Sequence, residues 1–91
     1  MNNILNNCIS ISIKSPTLKR GKNDVRFFDA QLHVVDGLRT YILAETKRDV
    51  KRKRFDLIPG SIITDQTGSY TCHEIKYMPI VHRIVPVILA S

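Results

Sequence analysis

The sequence predicts an all-β domain, a small five-stranded antiparallel barrel with protruding β-hairpins. Three observations predict it. Apolar residues recur with period two in several short runs. Turns containing Gly or Pro separate those runs. No stretch carries a good helical stripe of apolar residues.

In chain order, residues 1–7 form a polar, asparagine-rich tail. Cys8 to Lys14 alternates, with Ile9, Ile11 and Ile13 on one face and Ser10, Ser12 and Lys14 on the other, which is the pattern of a half-buried strand. Residues 15–24 read as a loop broken by Pro16 and Gly21 and charged by Lys19, Arg20 and Lys22. From Val25 to Val35 the alternation resumes: Phe28, Ala30, Leu32 and Val34 share the inner face, and Phe27, Asp29, Gln31 and His33 the outer one. Asp36-Gly37 is a strong two-residue hairpin signal, because a type I′ turn needs positive φ at both central positions. Leu38 to Thr46 follows as the paired strand.

Lys47 to Arg54 is basic at six of eight positions. Written as a helix, Ile42 to Phe55 has a poor stripe, and like charges so dense repel, so an exposed loop or hairpin tip is expected. Pro59-Gly60 is a turn, Ser61 to Asp65 a short strand, and Gln66 to Ser69 a second turn at Gly68. Tyr70 to Met78 alternates, with Tyr70, Cys72, Glu74 and Lys76 opposite Thr71, His73, Ile75 and Tyr77. Pro79 interrupts, and Ile80 to Ala90 is the closing strand. Pro86 cannot donate to a ladder, which places that strand's end at a sheet edge or a subunit contact. In this size range such elements form a partly open barrel, of which the oligonucleotide-binding (OB) type is the commonest version that binds nucleic acid.

Ninety-one residues make one domain, residues 1–91, with a modest core that a homodimer would reinforce. At 43% hydrophobic and 24% charged, the chain is neither a disordered tail nor a membrane protein. Fourteen Lys and Arg against eight Asp and Glu give a net charge of +6 and a pI near 9.7. That sign points to a polyanion, nucleic acid before an anionic membrane. Met1 to Lys14 lacks the pattern of a secretory signal, and no run approaches a membrane span. Cys8 and Cys72 lie outside any CxxC, which suits reduced thiols in an intracellular protein, with a disulfide as the alternative.

A single-stranded nucleic acid asks for cations on its phosphates and flat rings under its bases. Phe27 and Phe28 are neighbours on a strand and face opposite ways, so Phe28 belongs to the core. Phe27 either stacks on a base or lies in a dimer contact. Tyr41 is expected on the surface. The run from Lys47 to Arg54 is held between strands, which favours phosphate contact over a merely solvated charge run. Catalysis is not expected. Cys72 and His73 point to opposite faces, the histidines and cysteines lack metal-ligand spacing, and no phosphate-binding glycine loop or acidic cluster is present. No cofactor is implied. A second reading is a protein-interaction module, an adaptor or inhibitor for an acidic partner. A duplex-reading regulator is disfavoured by the lack of a recognition helix.

The order of ISISIK (9–14), RGK (20–22), QLHVVD (31–36), Tyr41, Pro59-Gly60 and HRIVP (82–86) resembles the gene-five-type single-stranded DNA-binding proteins of filamentous phages. The resemblance covers nearly the whole chain. It implies a homodimer of small five-stranded barrels that coats phage single-stranded DNA cooperatively in the host bacterial cytoplasm. It also implies single-stranded RNA as a second target, through messenger leaders whose translation is repressed. Carried over by position, Arg20 and Lys22 match the family's basic loop, Tyr41 its hairpin tyrosine, Lys47 lies near a basic position, and Arg83 matches the closing strand's basic residue. Phe27 or Phe28 stands where a tyrosine is expected, Val34 replaces another aromatic and cannot stack, and the dyad-loop aromatic is Tyr77 or Tyr70. Taken together, Arg20, Lys22, Lys47, Arg48, Lys51, Arg52, Lys53, Arg54 and Arg83 are expected to hold phosphates, and Phe27, Tyr41 and Tyr77 to stack on bases.

Overall fold

The structure, a computed structural model, describes residues 7–16 and 25–91. Strands β1 (Ile9–Lys14), β2 (Val25–Val35) and β3 (Leu38–Leu43) come first, then the helix α1 (Lys47–Arg52). Strands β4 (Ile62–Asp65), β5 (Gly68–Ile80) and β6 (Arg83–Ala90) complete the chain. Every neighbouring pair is antiparallel, and the strands close into a barrel in the order β1-β2-β3-β6-β5-β4. The expected five strands and partly open wall are both corrected. β4 pairs with β1 on one side and β5 on the other, so its four residues shut the circle.

The alternation read from the sequence sets which side chains enter the barrel. Ile11 and Ile13 of β1, Phe28 and Ala30 of β2, Leu43 of β3, Ile63 of β4 and Ile88 and Ala90 of β6 are all buried in one core. The β2–β3 hairpin turns at Asp36 (φ 51°) and Gly37 (φ 78°), the two positive values a type I′ turn demands. Val34 was expected on the buried face. The hairpin outruns the barrel, so Leu32 is half-buried and Val34 is 51% exposed. Cys72 is buried, Cys8 is half-buried, and neither forms a disulfide.

β5 breaks the simple alternation. Cys72 pairs with Ala90 but Glu74 pairs with Leu89, so His73 is an extra residue on its strand, a β-bulge. The bulge shifts the side-chain parity by one. Tyr70 and Cys72 before it therefore share the inner face with Ile75 and Tyr77 after it, whereas the sequence places the two pairs on opposite faces. β5 then runs straight through Pro79, which lies opposite Ile84. The interruption expected at Pro79 falls instead at Val81 and His82. These have φ of 49° and 63°, a left-handed conformation that costs a β-branched valine in particular. Pro86 is buried just ahead of Val87, the first β6 residue paired with β3, so it stands where β6 has not yet reached that neighbour.

Because neighbours alternate in direction, β1, β3 and β5 all finish at one end of the barrel and β2, β4 and β6 all begin there. α1 follows β3 at this end. Val50, Phe55 and Leu57 descend from α1 and its continuation into the core, and the Phe55 ring tilts against Phe28 at 5.8 Å between centroids. Burying a ring of that size stabilises the fold by about 2 kcal/mol.

The opposite end is closed by polar groups. Tyr41, expected on the surface, is completely buried, because period two puts it on the face of Leu43. Its hydroxyl donates to Asp65 Oδ2 at 2.7 Å and receives Arg39 Nε at 2.8 Å. Arg39 also bonds Asp65 through Nη2 at 2.5 Å and Thr67 Oγ1 at 3.2 Å, and its guanidinium lies 3.9 Å from the Tyr70 ring centroid. Thr67 closes the cluster by donating its N–H and hydroxyl to Asp65 Oδ1. Burial alone would raise the Asp65 pKa, but the hydrogen bonds from Thr67, Tyr41 and Arg39 outweigh it and hold the carboxyl well below the usual carboxylate range. Burial, with the bond to Asp65, pushes the Tyr41 phenol up to about 12 against the opposing pull of Arg39.

A carboxyl lowered on folding stabilises fully above its ordinary range and loses that contribution as pH falls through it. A phenol raised on folding stabilises fully below its ordinary value of 10.0 and loses it as pH climbs toward 12. Tyr41→Phe should therefore cost about 1–3 kcal/mol at neutral pH and remove the alkaline limb of the melting curve. Thermal unfolding at stepped pH checks it, and an unchanged alkaline limb would contradict the cluster. At the other end, the double change Val81→Asn, His82→Gly should raise the melting temperature, since Asn-Gly suits positive φ at both positions.

Candidate nucleic-acid interface

The basic run from Lys47 to Arg54 holds α1, not the loop or hairpin tip expected. Its start is built by Thr46, whose hydroxyl accepts the Asp49 N–H at 3.1 Å. Asp49 in the first turn and Lys51 and Arg52 in the last complement the helix dipole. Arg54 ends the turn in the left-handed region at φ 54°. Only Val50 of this short helix is buried, which leaves no repeating stripe for a pattern to find.

Residues four apart on a helix share a face, so the cations of α1 fall into two pairs. Arg48 and Arg52 face His82 and Arg83 of the β5–β6 turn across a depression of about 470 Å³. Lys47 and Lys51 border a second one of about 300 Å³ with Tyr77. The Lys47 ammonium sits 4.6 Å from the Tyr77 centroid, a cation–π contact on a ring that remains 44% exposed. Arg48, Lys51, Arg52, Arg54 and Arg83 are exposed, and Asp49 reaches Arg52 only at 3.9 Å. A contact of that length at the surface neutralises little. The barrel end carrying α1 is therefore strongly positive.

Not every expected cation is available. Lys53 is drawn into the fold: its ammonium bonds Glu45 Oε2 at 2.8 Å and the Phe27 carbonyl at 3.2 Å, and lies 4.3 Å from the Phe28 centroid. This corrects its assignment to phosphate. Arg20 and Lys22 lie outside the described residues. Of the three aromatics expected to stack, Tyr41 is removed by its burial. Phe27 is 74% exposed on the outer face of β2.

Sequence reasoning missed Arg39, Asp65 and Tyr70 as a unit. The signal lay in the hairpin and not in β3 itself, since the two-residue Asp36-Gly37 turn sets Arg39 opposite Val34 and Tyr41 opposite Leu32, on the inner face, and a buried arginine demands an acid. It also missed Arg26, half-buried, whose guanidinium bonds the Val25 and Lys53 carbonyls and lies 5.9 Å from the Phe55 centroid. Chemistry beyond binding finds no footing at the bulge. Cys72 turns inward and donates to the Glu74 carbonyl, while His73 bonds Ser91 outside. Among the described residues, no three His, Cys, Asp or Glu gather closely enough to hold a metal ion, and no helix is long and apolar enough to cross a membrane.

No family model, curated protein or solved structure matches this chain. The different tasks of neighbouring lysines give a direct check. Lys53→Met should lower stability by about 1 kcal/mol through removal of its part-buried ion pair, whereas Lys51→Met should leave it unchanged. Equal melting temperatures for the two variants would contradict the division.

Proposed function

We propose that this chain is a single-stranded DNA-binding protein with an OB-like barrel, which coats phage single strands cooperatively and with little regard to sequence. The observation that carries the reading is the concentration of exposed cations on α1 and the β5–β6 turn, with the exposed ring of Tyr77 beside them and a second exposed ring, Phe27, on the outer wall of β2. Phosphates would lie along Arg48, Arg52 and Arg83 and along Lys47 and Lys51, with bases turned toward the rings. Single-stranded RNA, including messenger leaders, presents the same two chemistries and is a second target. The reading is that of a homodimer in the bacterial cytoplasm. Self-association is supported by the apolar residues at the β5–β6 turn, where Met78, Val81 and Ile84 are 46%, 73% and 45% exposed. The same turn also favours a second reading, a protein-interaction module, in which the cations and the apolar tip bind an acidic protein.

Salt dependence, joined to strand choice, separates the nucleic-acid reading from the protein one. Binding of a labelled oligothymidylate should be tight, should exceed binding of the matching duplex, and should weaken steeply with salt. Replacing Arg48, Arg52 and Arg83 together by Gln should flatten the plot of log K against log salt by about 2, at about 0.7 for each phosphate no longer neutralised. Failure to bind the single strand at low salt would overturn the coating function and leave the acidic-protein reading.

A further inference from the structure

We infer that the outer wall around Phe27 is a nucleobase subsite that favours bases carrying an exocyclic amine. The inference rests on the single-strand binding proposed above and adds to it a chemical preference.

Strand register defines the site. Phe27 lies opposite Ser12, Ser12 opposite Thr64, and Thr64 opposite Ser69, so four residues of β2, β1, β4 and β5 form a row across the wall. Directly opposed residues share a face, and their neighbours Ile11, Ile13, Phe28 and Ile63 point inward, so this row points outward. With strands about 4.8 Å apart, the row spans about 14 Å, room for a base and its sugar. It offers one bare ring followed by three small hydroxyl residues. A shallow depression of about 310 Å³ lies along Phe27, Ser12 and Thr64 and reaches Gln66 and Asp65, whose carboxylate is turned inward onto Arg39.

The surrounding charge selects a base rather than a phosphate for this spot. Asp29 follows Phe27 by two residues, shares its face and is exposed, and Ser10 donates to its Oδ1 at 3.3 Å. A carboxylate there repels phosphate but accepts a hydrogen bond from an amine, such as the 4-amino group of cytosine. Thymine offers a carbonyl at the corresponding edge. The hydroxyls of Ser12 and Thr64 serve as either donor or acceptor and do not discriminate. Lys53, bonded to the Phe27 carbonyl, lies on the side toward α1, from which the strand's backbone would enter. The stacking energy on Phe27 is indifferent to base identity, so Asp29 alone sets the preference.

The test titrates the full chain with labelled oligodeoxycytidylate and oligothymidylate of equal length. The wild type should prefer the cytidylate severalfold. Asp29→Asn should bring the ratio close to one, because an amide both donates and accepts. Phe27→Ala should weaken both ligands on the order of tenfold, with an unchanged salt slope and unchanged oligomeric state by sedimentation. Equal wild-type affinity for the two ligands, or a ratio that survives both substitutions, would overturn the subsite while leaving single-strand binding intact. A Phe27→Ala variant that changes oligomeric state would overturn it too, placing Phe27 in a subunit contact. A wild type that binds neither ligand would refute the coating function itself.

Discussion

The ion pair between Arg39 and Asp65 is the contact on which the rest of the barrel depends. β3 and β4 are not neighbours in the wall, so this bond is a chord through the barrel mouth and not part of a ladder. A buried pair of charges is favourable only when its remaining hydrogen-bonding capacity is filled. Here Tyr41 and Thr67 fill it, Tyr70 lies against the guanidinium, and no buried side-chain polar atom lacks a partner among the described residues. β4 has only four residues with which to close the wall. The chord fixes its far end and so holds the shortest strand in register.

With one mouth closed by polar groups, the other is closed by apolar ones and is free to carry charge on its outside. Cations crowded into a single helical turn and a half repel one another, and that cost has to be met locally. Thr46 caps the helix, Val50 and Phe55 anchor it, and Lys53 is neutralised by Glu45. These contacts hold α1 against the barrel while Arg48, Lys51 and Arg52 remain in solvent. Structure and the candidate interface are thus divided within one run of basic residues, position by position.

Much of the wall was legible because β1 and β2 alternate plainly and Asp36-Gly37 declares its own turn. The rest was hidden for identifiable reasons. α1 is too short to show a period. Tyr41 has an apolar body and a polar tip, and its outward neighbours Leu38 and Ile42 are apolar as well, so neither parity of β3 stands out as the inner one. The bulge at His73 has no residue signature, and without it Ile75 faces the wrong way. The turn at Val81 and His82 lacks the glycine that normally marks one. For the interface, the charge run was readable as a whole, but the loss of Lys53 and Tyr41 from the expected contacts depends on partners that only the fold brings up, Glu45 eight residues before Lys53 and Asp65 across the barrel from Tyr41.

The placement of charge at one end has a kinetic meaning. Even along its shortest principal axis the molecule measures 20 Å, and electrostatic screening at physiological salt acts over about 8 Å. The two ends are therefore electrically independent of each other. A polyanion passing the Arg39 mouth feels almost none of the field of α1, while one passing α1 is drawn in and turned before contact. Capture then depends on which way the barrel is facing during the last few ångströms of approach.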